Sequence, residues 1–590
     1  MWQKNRAARS FINQRARILT LVIILSGGML ILRLFFLQIV EHETFLDLAR
    51  RQQQISETTE TPRGAIYFRE AKTNALVNAA TTQQGYLLYL DNRTLINPEE
   101  TFSRLNTITP IDRDIFFTIT KKTNDPYEVL KQRITLEEGN KISVLRIPGV
   151  GLVAKSWRWY PGEQLAGHVL GFVSSAADNI VGQYGVEKYY ESTLKGNAQS
   201  FVAEKDANGF FIALGRQFVA DTSTGHDIVL TIEPTVERSL QAELEYLRDR
   251  WHARSGGIII VEPKTGAIRG LAAYPIFDPN GYFKEKDLSV FLNPFVQKIF
   301  ELGSVFKPLT MAAALDQGVL TPDTTYVDRG FVKIGSATIK NFDEKARGVR
   351  TMTQVLEESL NTGAIFAMQQ LGKERLRDYF HAYGLSERLG VDLPGEVAGN
   401  LSNLESGREI EFATASFGQG VAVSPLELTM ALASLGNGGK LLRPYIKEQT
   451  IGENPTQPTI IRHVIKPETS TTITRMLVDV VDRVLAGGKV KKIGYSIAAK
   501  TGTAQIPNEN GKGYYPDQYL HAFFGYFPAY DPQFLIVMFL ERPQGVRYAS
   551  QSLSDSFVHL VDFLINYYTI PPDRADIQTP PALYDQNIHY

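Results

Sequence analysis

Residues 300–320 read FELGSVFKPLTMAAALDQGVL and join a serine and a lysine to the start of a helix. Proline is tolerated only in the first turn of a helix, so Pro308 predicts a helix that starts close to Ser304. Lys307, three residues after Ser304, then lies on the same face of that helix. An apolar setting lowers the pKa of a lysine toward a value that suits a base, and lysine-activated serine is a known nucleophile. Ser304 and Lys307 are therefore candidates for nucleophile and base.

The same pair of residues also has a purely structural interpretation. Ser304 fits a helix cap, and Lys307 fits a solvated surface residue. A second Ser-x-x-Lys occurs at Ser192 to Lys195, which shows how readily this pattern arises by chance. The pair therefore needs support from other residues before it indicates a function.

Two further short motifs follow along the chain. Ser359 and Asn361 form a Ser-x-Asn, in which a hydroxyl and an amide can point from one turn into one cleft, although Ser359 also fits a helix end. The run AAKTGTA, residues 498–504, has small residues around its lysine, so another backbone can lie beside it, as when an extended peptide adds to a sheet edge. Its lysine and threonine side chains suit the binding of a carboxylate.

A second Lys-Thr-Gly occurs in the run EPKTGAI, residues 262–268. Apolar segments flank it on both sides, and proline and glycine mark a turn, so the pattern predicts a β-hairpin. Lys264 is expected to face solvent at the hairpin tip, and Gly266 is expected to serve the turn. This copy is therefore predicted to have no part in the chemistry.

The N-terminus predicts a membrane anchor. Residues 1–17 contain five basic residues and no acid, and residues 18–40 form an apolar run with a single charge, Arg33. A helix of 23 residues is long enough to cross a bilayer, and the basic flank places the tail in the cytoplasm and the rest of the chain outside. A cleaved signal peptide and a buried core helix are weaker alternatives, because the run is long and lacks a small-x-small cleavage site.

Composition excludes several classes of function. The chain has 590 residues, enough for two to four domains, and 62 basic against 63 acidic residues, so a bulk electrostatic attraction to nucleic acid is not expected. It has no cysteine, which excludes thiolate metal sites, disulfides and cysteine nucleophiles.

The pattern of elements predicts an α+β fold. Strand-like runs such as GYLLYL (residues 85–90) and ISVLRI (residues 142–147) mark a first domain over residues 41–225. An amphipathic helix through Val236 to Leu247 and the hairpin open a second domain over 226–568, where helices dominate from residues 305 to 435 and strands return at the end. The Pro-rich tail, residues 569–590, is expected to be extended.

The order of the motifs gives a family resemblance. Ser-x-x-Lys, Ser-x-Asn and Lys-Thr-Gly in this order form the set recognised in penicillin-interacting serine enzymes. The runs TPRGAIYF, RWYPGEQLAGHVLGFV, GVEKYYESTLKG, FATASFGQGVAVSPLEL and HAFFGYFPAYDP stand in family order as well. The chain resembles a class B penicillin-binding protein, the membrane-anchored D,D-transpeptidase that cross-links peptidoglycan. YFREAKTNA and VRYASQSLSDSF depart from the family pattern, but neither touches the catalytic motifs.

This resemblance implies an architecture and a role for each motif residue. The expected parts are a tail (1–17), a transmembrane anchor (18–40), an elongated pedestal of the dimerisation type (41–225), a β-lactamase-like transpeptidase domain with an antiparallel sheet and a helical block (226–568), and the Pro-rich tail. The implied catalytic residues are Ser304, Lys307, Ser359, Asn361 and Lys500, and the implied substrate-binding residues are Thr501, Gly502 and Thr503. Backbone N–H groups of Ser304 and Thr503 are expected to form the oxyanion hole.

The resemblance also implies partners and a location. Peptidoglycan stem peptides and β-lactams are the expected ligands, and neither a metal nor an organic cofactor is required. A multi-spanning glycosyltransferase and other cell-wall proteins are the expected partners, and nucleic acid is not. The implied location is the bacterial cytoplasmic membrane, crossed once with the N-terminus inside and the catalytic domain outside.

Two other functions fit part of the pattern. A β-lactamase-like hydrolase or a D,D-carboxypeptidase also uses a Ser-x-x-Lys, and Glu357 could be its water-activating acid, but Glu357 lies within the EESLN run that already supplies the Ser-x-Asn. A non-catalytic scaffold or penicillin sensor has no chemical need for all five catalytic residues. Cross-linking is therefore the favoured prediction.

Overall fold

The structure is a computed structural model, and it describes residues 2–43, 54–59, 63–122, 126–176, 179–195, 199–204, 225–508, 511 and 513–574. The chain forms two compact units, Met1–Pro62 with Gly196–Thr224, and Arg63–Lys195 with Gly225–Tyr590. Most of the Pro-rich tail lies outside the described residues. The domain bounds given above stay predictions.

The strands are numbered in chain order. They are β1 Gln54–Thr59, β2 Ile66–Arg69, β3 Leu76–Leu90, β4 Glu128–Thr135, β5 Val150–Trp159, β6 Val173–Ala176, β7 Asn179–Gly182, β8 Gln199–Glu204, β9 Ile228–Leu230, β10 Ser255–Val261, β11 Ile268–Tyr274, β12 Thr325–Asp328, β13 Phe331–Ile334, β14 Ala337–Lys340, β15 Gly348–Thr351, β16 Lys440–Leu442, β17 Lys447–Thr450, β18 Ile460–His463, β19 Ala498–Pro507, β20 Tyr514–Phe527 and β21 Phe534–Glu541.

The helices are named by their bounds. The α-helices are Trp2–Phe35, Pro98–Asn106, Arg113–Thr120, Leu136–Leu145, Gly167–Leu170, Gly185–Tyr189, Glu191–Lys195, Pro234–Trp251, Pro294–Gln297, Lys307–Asp316, Met352–Glu357, Asn361–Leu371, Lys373–Ala382, Glu409–Ala415, Pro425–Gly436, Pro467–Arg483, Ala549–Ser552 and Ser554–Tyr568. A π-helical turn spans Phe36–Val40, and 3₁₀ turns span Pro279–Lys284, Leu288–Phe291, Gly303–Phe306, Ser402–Ser406 and Leu485–Gly488.

The first unit contains the N-terminal apolar helix. The segment Ile18–Val40 has a mean hydropathy of 2.4 and none of it is buried, so it is long and apolar enough to cross a membrane. In the same unit β1 and β8 pair in antiparallel register, with Gln54 opposite Glu204. The prediction of one long apolar helix at the N-terminus is confirmed.

In the second unit, one six-stranded sheet joins segments that lie far apart in sequence. Its order is β17-β9-β2-β3-β4, with β5 also paired to β3. β2 and β9 run parallel, so strands from the first 100 residues share a sheet with strands that follow residue 225. The carboxylate of the fully buried Glu187 forms ion pairs with two arginines from this part of the chain. Its oxygens lie 2.7 Å from Arg63 Nε and 2.6 Å from Arg158 Nε.

A smaller core packs against the outer part of this sheet. It contains Leu88, Leu105, Phe116 and Ile134, and the three helices between residues 98 and 145 cover it. The prediction of a strand at ISVLRI is wrong, because most of that run lies in the helix Leu136–Leu145. A capping box between Thr135 and Glu138 starts this helix and overrides the β-branched composition.

A five-stranded antiparallel sheet forms the centre of the C-terminal part, in the order β11-β10-β21-β20-β19. The helices Pro234–Trp251 and Ser554–Tyr568 pack on one face, where a Cβ on Gly525 would meet the ring of Phe557 at 2.4 Å. The helical block packs on the other face, and the rings of Phe295 and Phe539 meet there edge to face, 5.3 Å apart. β19 lies at the edge of the sheet.

The helical block contains strands that the sequence analysis missed. β12 pairs with β15 and β13 with β14, all within the segment predicted to be helical. The β13–β14 hairpin turns through Gly335 and Ser336, and Gly335 has φ +59°. Glycine at the first position of a two-residue loop favours a β-hairpin, so strands form here in a segment where helix was expected.

Candidate active site

Ser304 lies on a tight turn at the mouth of a cavity of about 600 Å³. The turn is the 3₁₀ segment Gly303–Phe306, and the α-helix begins only at Lys307, three residues later than the sequence predicts. The Lys307 backbone N–H donates to the Ser304 carbonyl, and Gly303, with φ +67°, donates its N–H to the Gly418 carbonyl at 3.1 Å. These bonds fix the nucleophile candidate on a short, rigid turn.

Ser359 lies between two helices in a strained conformation. It follows the helix Met352–Glu357, and its φ of +53° places it in the left-handed region that non-glycine residues rarely adopt. Such a conformation costs about 1–3 kcal/mol and persists only where the surroundings enforce it. Here it turns the serine hydroxyl and its carbonyl toward the same neighbour.

That neighbour is Lys307, and a second lysine reaches the same hydroxyl. The Lys307 Nζ lies 2.5 Å from the Ser359 carbonyl oxygen and 3.2 Å from its Oγ. The Lys500 Nζ lies 3.0 Å from the same Oγ and 3.0 Å from the Thr501 carbonyl oxygen. The Ser359 hydroxyl therefore connects the amines of two motifs that are 193 residues apart in the chain.

Both amines are removed from water. Lys307 is 1% and Lys500 2% exposed. Burial, reinforced by the charge of Lys500, lowers the pKa of Lys307 well below its usual value. Burial lowers the pKa of Lys500 to about 7. Burial therefore favours the neutral form of Lys307, the form in which an amine can act as a general base.

The edge strand β19 lies directly against the Ser304 turn. A Cβ on Gly502 would meet the Leu302 carbonyl oxygen at 2.6 Å, and a Cβ on Gly303 would meet Ala504 and the Thr503 backbone at 3.1–3.2 Å. Glycine at both positions permits this approach. Because side chains alternate along a strand, Lys500 and Gly502 face the helical block, while Thr501 and Thr503 line the cavity.

Asn361 opens the next helix, and a distant residue caps it. The preceding residue offers no side-chain cap; instead Asn341 Oδ1 accepts from the Asn361 N–H at 3.0 Å and from the Thr362 N–H at 3.2 Å. The buried Asp328 holds Asn341 in turn, accepting from its Nδ2 at 3.0 Å. The Asn361 amide donates to the Lys340 carbonyl at 2.9 Å and lines the cavity.

Two family models match this chain. One, described as the penicillin binding protein transpeptidase domain, matches residues 256–561, and the other, the penicillin-binding protein dimerisation domain, matches 58–230. The chain belongs to the class B penicillin-binding proteins. The predicted fold, a dimerisation domain followed by a transpeptidase domain of mixed α and β structure, is confirmed, and the domain is that of a penicillin-binding serine transpeptidase.

Named relatives agree with this family, and a solved structure has the same fold. The chain is 31% identical over 526 residues to "Stage V sporulation protein D" of Bacillus subtilis, covering 87% of this chain and 79% of that protein. It is 29% identical over 591 residues to "Peptidoglycan D,D-transpeptidase FtsI homolog" of Mesostigma viride, covering 94% and 96%. Penicillin Binding Protein 2X from Streptococcus thermophilus shares its fold, with a TM-score of 0.70, 18% identity, and coverage of 88% of this chain and 81% of that one.

The structure brings all the predicted site residues of this penicillin-binding protein to one place. Gly502 lets β19 lie against the turn that carries Ser304, and the amines of Lys307 and Lys500 are buried next to the cavity. The five predicted residues that line the cavity are Ser304, Ser359, Asn361, Thr501 and Thr503. Sequence reasoning missed Asn341 and Asp328, because a cap supplied from another element leaves no local pattern. It also missed Arg547, which lines the cavity from the loop after β21.

The second Lys-Thr-Gly, the second Ser-x-x-Lys and Glu357 lie outside the cavity of the penicillin-binding protein. Lys264 is half exposed at the tip of the β10–β11 hairpin and pairs with Asp531. Ser192 is exposed on the short helix Glu191–Lys195. Glu357 pairs with Arg483 at 3.2 Å and is not among the residues lining the cavity.

Proposed function

We propose that Ser304 is the nucleophile and Lys307 the base of a peptidoglycan D,D-transpeptidase reaction. One observation carries this proposal. The buried amines of Lys307 and Lys500 meet at one hydroxyl, that of Ser359, at the floor of a cavity that Ser304 lines. A buried lysine whose pKa is lowered, three residues after a serine on a short turn, suits lysine-activated acyl transfer.

In the first half-reaction, Ser304 Oγ attacks the carbonyl of the penultimate D-alanine of a stem peptide, and Lys307 Nζ takes the hydroxyl proton. The carbonyl oxygen then carries negative charge, which the backbone N–H groups of Ser304 and Thr503 stabilise; such a donor is worth about 3 kcal/mol. Ser359, bonded to both lysines, passes a proton to the nitrogen of the departing D-alanine. The C–N bond breaks and the acyl-enzyme remains.

The side chains around Ser304 hold the donor peptide in place. The amide of Asn361 orients its backbone, while Lys500, Thr501 and Thr503 bind its terminal carboxylate beside the edge of β19. In the second half-reaction, an amine of another stem peptide attacks the acyl carbon and gives its proton back to the site. The new amide is the cross-link, and Ser304 is free again. A β-lactam follows the first half-reaction only, because its amide is cyclic and the leaving group stays attached.

We further propose that the N-terminal helix anchors the protein in the cytoplasmic membrane of a bacterium, with its basic tail inside and the catalytic part outside. Substrate strands then come from a multi-spanning glycosyltransferase that binds the anchor and the pedestal. Replacing residues 18–40 by an unrelated apolar helix and repeating a co-purification in detergent tests this. An unchanged yield of the partner would contradict a role for the anchor in binding it.

Acylation by fluorescent penicillin tests the catalytic proposal. The protein is expected to form a long-lived adduct, and mass spectrometry is expected to find the label on the peptide that contains Ser304. The Ser304→Ala variant is expected to form none. Rapid release of hydrolysed penicillin would instead indicate a β-lactamase-like hydrolase. Release of D-alanine from stem peptides without formation of a cross-link would indicate a carboxypeptidase.

A further inference from the structure

His521 is a buried titratable residue next to the proposed carboxylate site. It lies on β20 directly opposite Thr503 of β19, with none of its surface exposed. Its Nε2 is 3.1 Å from the Arg547 carbonyl oxygen, and its Nδ1 is 2.8 Å from the Ser552 Oγ. None of the three catalytic motifs includes His521.

The two partners define the state of the His521 ring. A carbonyl oxygen can only accept, so Nε2 carries the hydrogen and donates it to the Arg547 carbonyl. In a neutral ring Nδ1 then accepts the hydrogen of the Ser552 hydroxyl, whose oxygen also lies 3.3 Å from the Ala549 carbonyl oxygen. Burial lowers the pKa of His521 to about 4, in agreement with a neutral ring. The ring thus fixes both ends of the segment from residue 547 to residue 552.

That segment controls the hydroxyl of Thr503. The backbone N–H of Ala549, in the middle of the segment, donates to Thr503 Oγ1 at 3.0 Å. This bond occupies an acceptor position of the oxygen and leaves the hydroxyl hydrogen available to a group in the cavity. The Thr503 hydroxyl is thereby prepared to donate to an anion.

The same segment forms one wall of the cavity. Arg547, Tyr548 and Ser550 line it, and the Arg547 guanidinium lies 5.4 Å from the centre of the Tyr548 ring. Across the cavity, the Phe342 ring meets the Tyr548 ring edge to face, 5.7 Å apart. The position of a cationic side chain in the cavity therefore depends on backbone that His521 holds.

We propose that His521 is a positioning residue that orients Thr503 and Arg547 toward the carboxylate of the substrate. This inference rests on the proposed function, in which Thr503 receives that carboxylate. His521 itself touches no reacting atom. It acts through the Arg547 carbonyl and through Ser552, which together hold residues 547–552 against β19.

Two probes separate this role from a general loss of structure. Benzylpenicillin carries the carboxylate, and its methyl ester presents the same reactive carbonyl without the anion. The His521→Phe variant keeps a ring but loses both hydrogen bonds. It is expected to lower the acylation rate constant for benzylpenicillin about 10-fold, the usual effect of a lost hydrogen bond to a charged group. The acylation rate constant for the methyl ester is expected to stay within about 2-fold of its wild-type value.

Rescue and control variants complete the experiment. In His521→Asn the amide oxygen takes the place of Nδ1 as acceptor for Ser552. This variant is therefore expected to recover most of the wild-type ratio between the rate constants for benzylpenicillin and its ester. His168→Phe is the matched control: His168 is also buried, with Nε2 3.0 Å from the Val290 carbonyl oxygen, but it is not among the cavity-lining residues. It is expected to keep the wild-type ratio of the two rate constants.

An equal fall for both probes in His521→Phe, or no fall for either, would overturn the proposal. If thermal unfolding shows that this variant does not fold, Ser552→Ala replaces it, because loss of that hydroxyl removes one of the two hydrogen bonds by which His521 holds the segment; an unchanged ratio there counts equally against the idea. Wild-type protein that forms no Ser304 adduct would instead refute the proposed function.

Discussion

Replacing Gly502 by alanine is expected to push β19 away from the turn that carries Ser304, the proposed nucleophile. A Cβ at this position would lie 2.6 Å from the Leu302 carbonyl oxygen and 3.1 Å from the backbone nitrogen of Val305. Ordinary contacts of a Cβ begin near ~3.4 Å, so β19 must move by roughly 0.8 Å, since the turn that carries Ser304 is backbone and cannot rotate aside. A misplacement of about 1 Å can cost about 100-fold in rate. The rate constant for acylation by a fluorescent penicillin is therefore expected to fall about 100-fold.

The other Lys-Thr-Gly of the chain supplies a matched control. A Cβ on Gly266 would also lie 2.6 Å from a backbone carbonyl oxygen, that of Arg443. Gly266 in addition has φ +83°, which costs an alanine about 1–2 kcal/mol more. Gly266→Ala is therefore expected to lower the unfolding temperature more than Gly502→Ala does. Its acylation rate at 25 °C is expected to stay at the wild-type value, because the hairpin tip lies outside the cavity.

The two variants together make the reasoning refutable. If folded Gly502→Ala protein is acylated at the wild-type rate, the close contact between β19 and the Ser304 turn does not set the geometry of the site. If folded Gly266→Ala protein loses as much activity as Gly502→Ala, the loss reflects general strain. Circular dichroism on both samples, before acylation, verifies that folded protein is compared.

Four further outcomes are expected. Lys500→Ala lowers penicillin acylation by more than about 100-fold, while Lys264→Ala leaves it unchanged; the reverse result in the same gel assay contradicts the assignment of the two motifs. The acylation rate falls as the pH rises above about 7, because Lys500, whose pKa burial lowers to about 7, then loses the positive charge that holds the carboxylate, so a flat profile from pH 5 to 9 counts against this role. Burial raises the pKa of Glu237 to about 7 from 4.5, so this carboxyl costs the native state no stability below about pH 4.5 and an increasing amount as the pH rises through 7. Glu237→Gln removes this cost and is expected to gain up to about 3 kcal/mol at pH 8 but nothing at pH 4.5, as denaturant titrations at the two pH values can show. Glu187→Gln leaves the buried Arg158 without its carboxylate and Arg63 with Glu191 alone, and lowers the free energy of unfolding by about 3–5 kcal/mol; an unchanged urea midpoint would show that the ion cluster is not what stabilises the sheet junction.

The composition of the site could be predicted from the sequence because its motifs are local. Pro308 limits where the helix can start and so places Lys307 near Ser304, and the structure differs only in inserting a 3₁₀ turn before the helix. Small residues around Lys500 predicted close backbone approach, and the contact of Gly502 with the Leu302 carbonyl is such an approach. Both features depend on the steric limits that individual residue types set, and such limits can be predicted from residue types alone.

The features that the sequence did not predict depend on contacts between distant segments. The left-handed conformation of Ser359 has no local signature, since the groups that contact this residue, Lys307 and Lys500, lie 52 and 141 residues away in the chain. The cap on Asn361 comes from Asn341, 20 residues earlier and on a hairpin that was predicted to be helix. In the run ISVLRI, by contrast, the signal was local, but the capping box lay just upstream of the apolar residues and outweighed them.

The charge state of the two lysines follows from the same packing that sets their positions. Two amines that share the Ser359 hydroxyl in a dry site cannot both be cations without strong repulsion, and the charge of Lys500 already lowers the pKa of Lys307. An incoming carboxylate beside β19 favours the cation on Lys500, which lies on that strand, and thereby favours the neutral form of Lys307. In the proposed reaction, one lysine then binds the anion while the other takes the proton of Ser304. Lys500 shares β19 with Gly502, which seats the strand against the Ser304 turn, and both amines are buried, so geometry and proton affinity in this site have a common origin.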